Sequence, residues 1–517
     1  MTAAPPNGEP RPGAALRTAT AFAPVLLAYL LLVRHFDFLC DDAYITFRYA
    51  RNLAEGASLR FNPGAPAVEG YSNFLWVIWN ALIVKLGANP EAGARLTSAA
   101  LGVHLLWSVF RRAERFGAAA AVAAGAFLAL LAPFSAWTTG GLATVPFAWT
   151  LWMSWMRFAG EERARPVAAG LFALAACLLR NDGPVFLAIV YGAALVAADP
   201  ERRTGLLRAA AVAAGVTVAG LIPYHAWRLW HFGDWVPQSA RVKVTFSALA
   251  AEQGAKYLAT LMLAFPGIAL APFVPWPRLD GTRRRLAVAG AVIALGGWAY
   301  IVFVGGDWMA LGRFVVPMLP FVALSLGARC TNPRAIAAAA AVIVVSLPGA
   351  ADRSPVPRAW QEALHFRWNS DDIYSEVGFW RKMNEDTAQQ VLLGRALKEH
   401  TSAGDSIALG AVGAAPYFAD LFVYDRNGLV TREVTESGEP LAHRSPGHLR
   451  NVSPLFFLPQ RPTILRAVVA PDSLGVRAIR MPLPTAAEDD YERVAIPLDP
   501  ARGFPEGHSL VMIRRRS

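Results

Sequence analysis

Two adjacent carboxylates, Asp41 and Asp42, follow the first long apolar run of the chain, in Phe36-Asp37-Phe38-Leu39-Cys40-Asp41-Asp42-Ala43-Tyr44. An acidic pair in that position lies at a membrane–water boundary, within reach of a substrate whose tail is in lipid and whose head is in water. One carboxylate suffices to take the proton of an attacking hydroxyl, a step typically worth ~10²–10⁴-fold in rate. A glycoside hydrolase would instead need an acid and a base flanking the bond. On a helix running from Asp41, Tyr44 and Arg48 share its face, so a carboxylate, a phenol and a guanidinium line one stripe. The bland alternative is that the pair only caps the next helix.

Other polar motifs fall between apolar runs. Glu69-Gly70-Tyr71-Ser72-Asn73 reads either as part of the site or as the start of a short helix. Arg241 and Lys243 read either as a phosphate clamp or as snorkelling side chains, in a loop seated by Trp227, Trp230 and Trp235. Asp307 follows Gly305-Gly306 and could be an ordinary turn residue, and His448 an ordinary surface histidine. Arg180-Asn181-Asp182-Gly183 is a further polar loop of the same set.

The elements that must position these residues are set by composition. A chain of 517 residues that is 55% hydrophobic and only 17% charged does not fit a soluble domain. Apolar runs near the ~20 residues a bilayer demands recur through its first two-thirds. They fall near 18–39, 94–110, 117–133, 142–158, 166–180, 184–198, 206–224, 257–275, 286–304, 313–328 and 335–348. The first of them is not a cleaved signal peptide, because more spans follow it.

The net charge of +11 sits in short loops, at Arg111-Arg112-Arg115, Arg157-Arg163-Arg165, Arg202-Arg203-Arg208, Arg278-Arg283-Arg284-Arg285 and Arg329-Arg334. Such loops are cytoplasmic by the positive-inside rule, which excludes nucleic-acid binding as the reason for the charge. All five clusters stay inside only if Asn73 to Leu86 lies along the interface as an amphipathic helix instead of spanning. The acidic pair and the other polar motifs then face outward.

The expected organisation is a disordered cytoplasmic segment at 1–13 and a helical membrane domain at 14–350 with its first outer loop at 40–93. An extracytoplasmic α/β domain follows at 351–517, with strands at Ile407-Ala408-Leu409, Phe422-Val423-Tyr424-Asp425, Ala467-Val468-Val469 and Leu510-Val511-Met512-Ile513. The three cysteines, Cys40, Cys177 and Cys330, suggest neither a disulfide framework nor a metal site.

Asp41-Asp42-Ala43-Tyr44-Ile45-Thr46-Phe47-Arg48, Phe61-Asn62-Pro63-Gly64 and Val68-Glu69-Gly70-Tyr71-Ser72-Asn73 resemble the GT-C class of polytopic glycosyltransferases. The similarity is to the subgroup containing the terminal arabinofuranosyltransferase of mycobacterial cell walls. Trp235-Val236-Pro237-Gln238 with Arg241 and Lys243, Gly305-Gly306-Asp307-Trp308-Met309 with Arg313, and Tyr424-Asp425-Arg426-Asn427 with Gly447-His448 follow in the expected order. Ala143, Asn181 and Gln238 depart from that pattern, standing where such proteins have Glu, Pro and Asn.

The resemblance implies a GT-C fold of about eleven membrane helices with interfacial helices. It implies transfer of a pentose such as arabinofuranose, or a hexose, from a polyprenyl-phosphate donor to an envelope glycan or lipid, with inversion. Asp41 or Asp42 would be the base, and Arg241, Lys243 and Arg313 would bind the donor phosphate. Tyr44, Arg48, Glu69, Tyr71, Asn73, Asp307 and His448 would contact substrate. No cofactor is required. The second aspartate could orient its neighbour, bind acceptor hydroxyls or hold a divalent cation, and the resemblance favours a metal-free mechanism. The Ala/Arg-rich bias fits a bacterial plasma membrane, with the site facing the periplasm.

The rival readings are a transporter or flippase of lipid-linked sugars and a non-catalytic glycan-binding membrane protein. Transporters show internal repeats or mid-membrane charges. Here no repeat is visible, and the charges gather at the ends of spans.

Overall fold

The computed structural model describes residues 12–160, 164–243, 247–274, 279–351, 356–367, 372–437 and 450–516. Most of the expected segment 1–13 lies outside them, as does His448.

The first two-thirds is helical. The chain opens with α1 (Pro12–His35), α2 (Asp41–Ala54), α3 (Phe74–Lys85), α4 (Pro90–Glu114) and α5 (Ala118–Leu130). It continues through α6 (Ala132–Ala136), α7 (Thr144–Trp155), α8 (Pro166–Leu179), α9 (Gly183–Ala197) and α10 (Pro200–Phe232). Next come α11 (Gln238–Lys243), α12 (Ala248–Ala264), α13 (Pro266–Leu270), α14 (Gly281–Phe303), α15 (Leu319–Arg329) and α16 (Pro333–Val344).

Local chemistry sets several boundaries. Asn89 caps α4 by accepting the N–H groups of Glu91 and Ala92, with Pro90 in the first turn, where its missing N–H costs nothing. Gly233 ends α10 in the left-handed conformation. Pro266 follows α12, and the chain bends there by 104°.

Among the described residues four helical segments are long and apolar enough to cross a membrane: Leu16–His35, Pro200–Phe232, Gly281–Phe303 and Pro333–Ala350. The bent pair Ala248–Ala264 and Pro266–Phe273 would make a fifth. The helices α5, α8 and α9 and the run Val316–Arg329 are apolar but shorter. The chain is thus a multi-pass membrane protein. Its apolar exposure is concentrated on helix faces, as at Leu27 and Leu31 on α1 and Val218 and Ile222 on α10, the surface that lipid would cover. α3, at 12 residues, is about 18 Å long and does not span a bilayer.

α1 and α4 are antiparallel: Asp37 pairs with Arg95 at one end, and Thr18 donates to Glu114 at the other. The acidic pair begins α2 at the first of these ends. There Cys40 donates its N–H to the Gly140 carbonyl, and Trp76 donates its indole N–H to the Gly141 carbonyl at 2.9 Å. Gly141 has φ +80°, and a Cβ there would come within 2.6 Å of the Ala43 Cβ. Only glycine therefore lets this loop lie against the start of α2.

After α17 (Arg358–Ala363), the long α18 (Glu376–His400) leads into a mixed sheet. Its strands are β1 (Ser406–Leu409), β2 (Phe422–Asp425), β3 (Ile464–Pro471), β4 (Tyr491–Pro497) and β5 (His508–Arg515), in the order β2-β1-β3-β5-β4. β1 is parallel to β2 and β3, and β5 is antiparallel to β3 and β4. The expected strands coincide with β1, β2, β3 and β5; β4 was not foreseen. Between β1 and β2 the helix α19 (Ala414–Ala419) packs directly onto α2. This crossover helix is where the sheet half meets the helical half.

Candidate active site

Asp41 and Asp42 occupy the first turn of α2, where the exposed N–H groups favour negative charge. Cys40 is the N-cap residue, and its side chain makes no capping bond. Asp41 accepts the backbone N–H of Ala414, the first residue of α19, at 2.8 Å. Gly413 supplies a second amide to the same carboxylate. Burial nevertheless pushes the Asp41 carboxyl up to about 6, against the pull of those amides and with the help of the Asp42 charge.

Two cavities meet at this turn. The first, about 340 Å³, is lined by Asp41, Asp42, Trp308, Arg450 and one stripe of α18, Met383, Asp386, Thr387 and Gln390. That stripe follows helical spacing, so a single face of α18 forms one wall. Gly410, Ala411 and Asn427, at the carboxyl ends of the parallel strands β1 and β2, form another. Such strand ends are where open α/β sheets place ligands. Asn427 is fixed there by donating to the Gly410 carbonyl at 2.6 Å and accepting from Asn451 at 2.6 Å. Beneath it Asp425, fully buried, accepts the N–H groups of Asn427 and Val430.

The second cavity, about 210 Å³, is lined by Asp42, Tyr71, Asn73, Thr144, Arg180, Asp182, Tyr300, Arg313 and Phe314 among others. Arg313 is gripped from behind by Asp307, which accepts from Nε at 2.9 Å and from Nη2 at 3.1 Å. Arg180 is held the same way by Asp182, at 2.8 and 2.6 Å, and Tyr300 donates to Asp182 at 2.7 Å. Burial works against the charge on Asp182, but Arg180 and the Tyr300 hydroxyl hold its carboxyl below the usual range. Asp42 lines both cavities; Asp41 lines only the first.

The expected site residues separate by placement. Asp41, Asp42, Tyr71, Asn73 and Arg313 line the cavities, with Asn73 held to Thr46 at 3.0 Å. Asp307 positions Arg313. Glu69 is buried in an ion pair with Arg228 at 2.6 Å, both side chains 3% exposed, and lines neither cavity.

Tyr44 and Arg48 do share a face of α2, but α19 covers it. Tyr44 packs on Tyr417 and Phe418. Arg48 donates to the carbonyls of Phe61, Pro416 and Leu421, a satisfied buried cation turned away from the site. Arg241 is not at the site either: it is half exposed, paired with Asp234 at 2.6 Å. The Lys243 side chain lies outside the described residues.

Arg180 and Asp182, seen in the sequence only as one polar loop among several, reach the site because α8 and α9 end there. Asp386 and Gln390 carried no local signal, and Asn427 stood out only within the Tyr424-Asp425-Arg426-Asn427 motif. Their spacing on a face of α18 and their place at a strand end matter only once the sheet is docked. Among the described residues no group of three or more His, Cys, Asp or Glu side chains is arranged to hold a metal ion.

Residues 379–510 match a family described as a domain of unknown function, DUF8728. No curated protein matches the sequence. The structure is similar to ArnT from Cupriavidus metallidurans bound to undecaprenyl phosphate, with a TM-score of 0.55 and 14% identity over 96% of this chain and 98% of that one. Apo ArnT gives the same score and identity over 97% and 98%. Arabinofuranosyltransferase AftD from Mycobacteria aligns with a TM-score of 0.44 and 15% identity, over 96% of this chain but 40% of its own. At such identities the likeness to ArnT is one of fold alone.

Proposed function

We propose that this protein is a GT-C glycosyltransferase that moves a sugar from a polyprenyl-phosphate donor to a hydroxyl of an acceptor glycan or lipid. The observation that carries the reading is the position of Asp42 in the wall between two cavities. A transferase needs its base where donor and acceptor meet, and a carboxylate shared by two chambers satisfies that geometry. The second cavity, with Arg180 and Arg313, takes the donor. The first, with its carboxylates, amides and Trp308, takes the acceptor. That the similar ArnT binds undecaprenyl phosphate supports a polyprenyl lipid as carrier.

In this reading Asp42 removes the proton from the acceptor hydroxyl as its oxygen bonds to the anomeric carbon. The bond from that carbon to the phosphate oxygen breaks on the opposite face, with inversion, and the polyprenyl phosphate leaves. Such a leaving group needs no general acid; it needs cations where its charge grows, which Arg313 supplies. Asp41, held by the Ala414 amide, fixes the first turn of α2 and so the direction of its neighbour. About eleven spans, with the acidic pair and the sheet on the outer face, complete the proposed topology, and a pentose such as arabinofuranose, or a hexose, is the sugar proposed by family resemblance.

The test is transfer by purified protein from a panel of radiolabelled polyprenyl-phosphate pentoses and hexoses to envelope extract. Asp42→Asn should lower transfer by at least ~10²-fold. Full activity in a well-folded Asp42→Asn protein would sink the assignment.

A further inference from the structure

Arg180 and Arg313 stand far apart in the sequence, yet they are built alike. Each uses Nε and Nη2 to grip one aspartate, Asp182 or Asp307, in a two-bond fork. The third nitrogen, Nη1, lies outside that fork in both, and the Tyr300 hydroxyl also lies against the Arg180 guanidinium. The guanidinium carbons lie over the same ring, 5.0 and 5.1 Å from the centroid of Phe314. Both side chains are largely buried, at 15% and 17% exposure, and both line the cavity that contains Asp42.

Resting on the donor reading above, we propose that Arg180 is a second donor-phosphate residue, forming with Arg313 a two-armed clamp whose Nη1 amino groups receive the phosphate oxygens. A fork to a carboxylate removes the rotational freedom of a guanidinium before any ligand arrives, so little ordering remains to oppose binding. Phe314 spaces the two groups and offers each its ring face. Because each cation is already balanced by its own aspartate, the clamp attracts a phosphate through aimed N–H donors more than through net charge. Where Arg241 was expected, a residue from the α8–α9 turn takes this role. Asp182 and Tyr300, which hold Arg180 through Nε, Nη2 and the shared carboxylate, then position it.

The experiment compares binding of undecaprenyl phosphate with that of undecaprenol to the full-length protein in detergent. The two share a tail and differ in the head. Wild type should prefer the phosphate. Arg180→Gln should lose that preference by roughly 10- to 100-fold while undecaprenol binding stays constant, as expected for a lost charge-assisted bond. Arg180→Gln leaves Asp182 buried without its cation and could misfold. The paired variant Arg180→Gln/Asp182→Asn removes the orphan charge and is read in the same assay. A folded variant of either kind that keeps the wild-type preference overturns the clamp while leaving the transferase reading intact. A wild-type protein with no preference for the phosphate overturns the polyprenyl-phosphate donor reading and the clamp with it.

Discussion

Asp41 accepts the N–H of Ala414 at 2.8 Å across 373 positions of sequence. The bond ties the first turn of α2 to the crossover helix of the sheet, so the geometry of the acidic pair is set jointly by both halves of the chain.

The raised Asp41 carboxyl gives this site a pH signature. With Asp41 pushed up to about 6, transfer should climb as pH rises through that value, because below it a proton sits on the pair beside the base. In Asp41→Asn this limb should vanish from the rate profile. The folded-state value lies above the ordinary carboxyl value of 3.8, so the native state binds the proton more tightly and its stability falls as pH rises between about 4 and 6. Asp41→Asn, whose amide oxygen still accepts from Ala414, should therefore melt no lower than wild type at pH 7.

Gly413→Ala tests whether the placement of Asp41 matters apart from its charge. A Cβ at 413 would lie 2.4 Å from Oδ2 and 2.1 Å from the backbone oxygen of Asp41, so the turn must shift. A 1 Å displacement at a catalytic group can cost about 10²-fold. We expect kcat to fall at least tenfold with a smaller loss of thermal stability; unchanged kcat would show that the turn need not be held.

Arg48→Ala should damage the fold, not the chemistry. It removes a buried donor from the carbonyls of Phe61, Pro416 and Leu421, of which the first keeps the Asn52 amide, the second the Asp420 N–H, and the third loses its guanidinium partner. The expected loss is about 2–4 kcal/mol, from the usual cost of unsatisfied buried groups. The melting temperature should drop, while KM for the donor in the surviving folded fraction changes less than twofold.

Glu69 and Arg228 offer a double-mutant cycle. Either single truncation strands a buried charge, at about 3–5 kcal/mol. Glu69→Leu combined with Arg228→Met should recover much of that loss, because the ion pair is structural. A double variant as unstable as the sum of the singles would show the two residues acting separately.

Periodicity and charge made much of the architecture legible. The helix from Asp41, the short helix after Asn73, and four of five strands follow from patterns of three to ten residues. β4, the edge strand, alternates weakly, with charged side chains along it that read as loop. The lining of the cavities was legible where the signal is local, at Asp41, Asp42, Tyr71, Asn73 and Arg313. It was not legible where a role depends on what packs behind a side chain. Arg48 and Arg180 are both arginines at the edge of apolar segments, and no feature of the sequence says that one faces a crossover helix and the other a cavity. Arg241 misled for the same reason: the carboxylate that engages it, Asp234, is seven residues away and was read as part of the same loop.

The docking of α19 onto α2 also limits how such proteins could be recombined. The first cavity takes its walls from α18, the sheet and the acidic turn at once, so the acceptor binding proposed for it would not be a property of the sheet half alone. A chimera cut near residue 350 would pair a foreign crossover helix with this α2, and the Arg48 and Asp41 contacts would meet the wrong carbonyls and amides. Exchange of acceptor specificity would succeed only if the segment from Asp41 to Asn73 travelled with the sheet, as one module split in sequence and continuous in space.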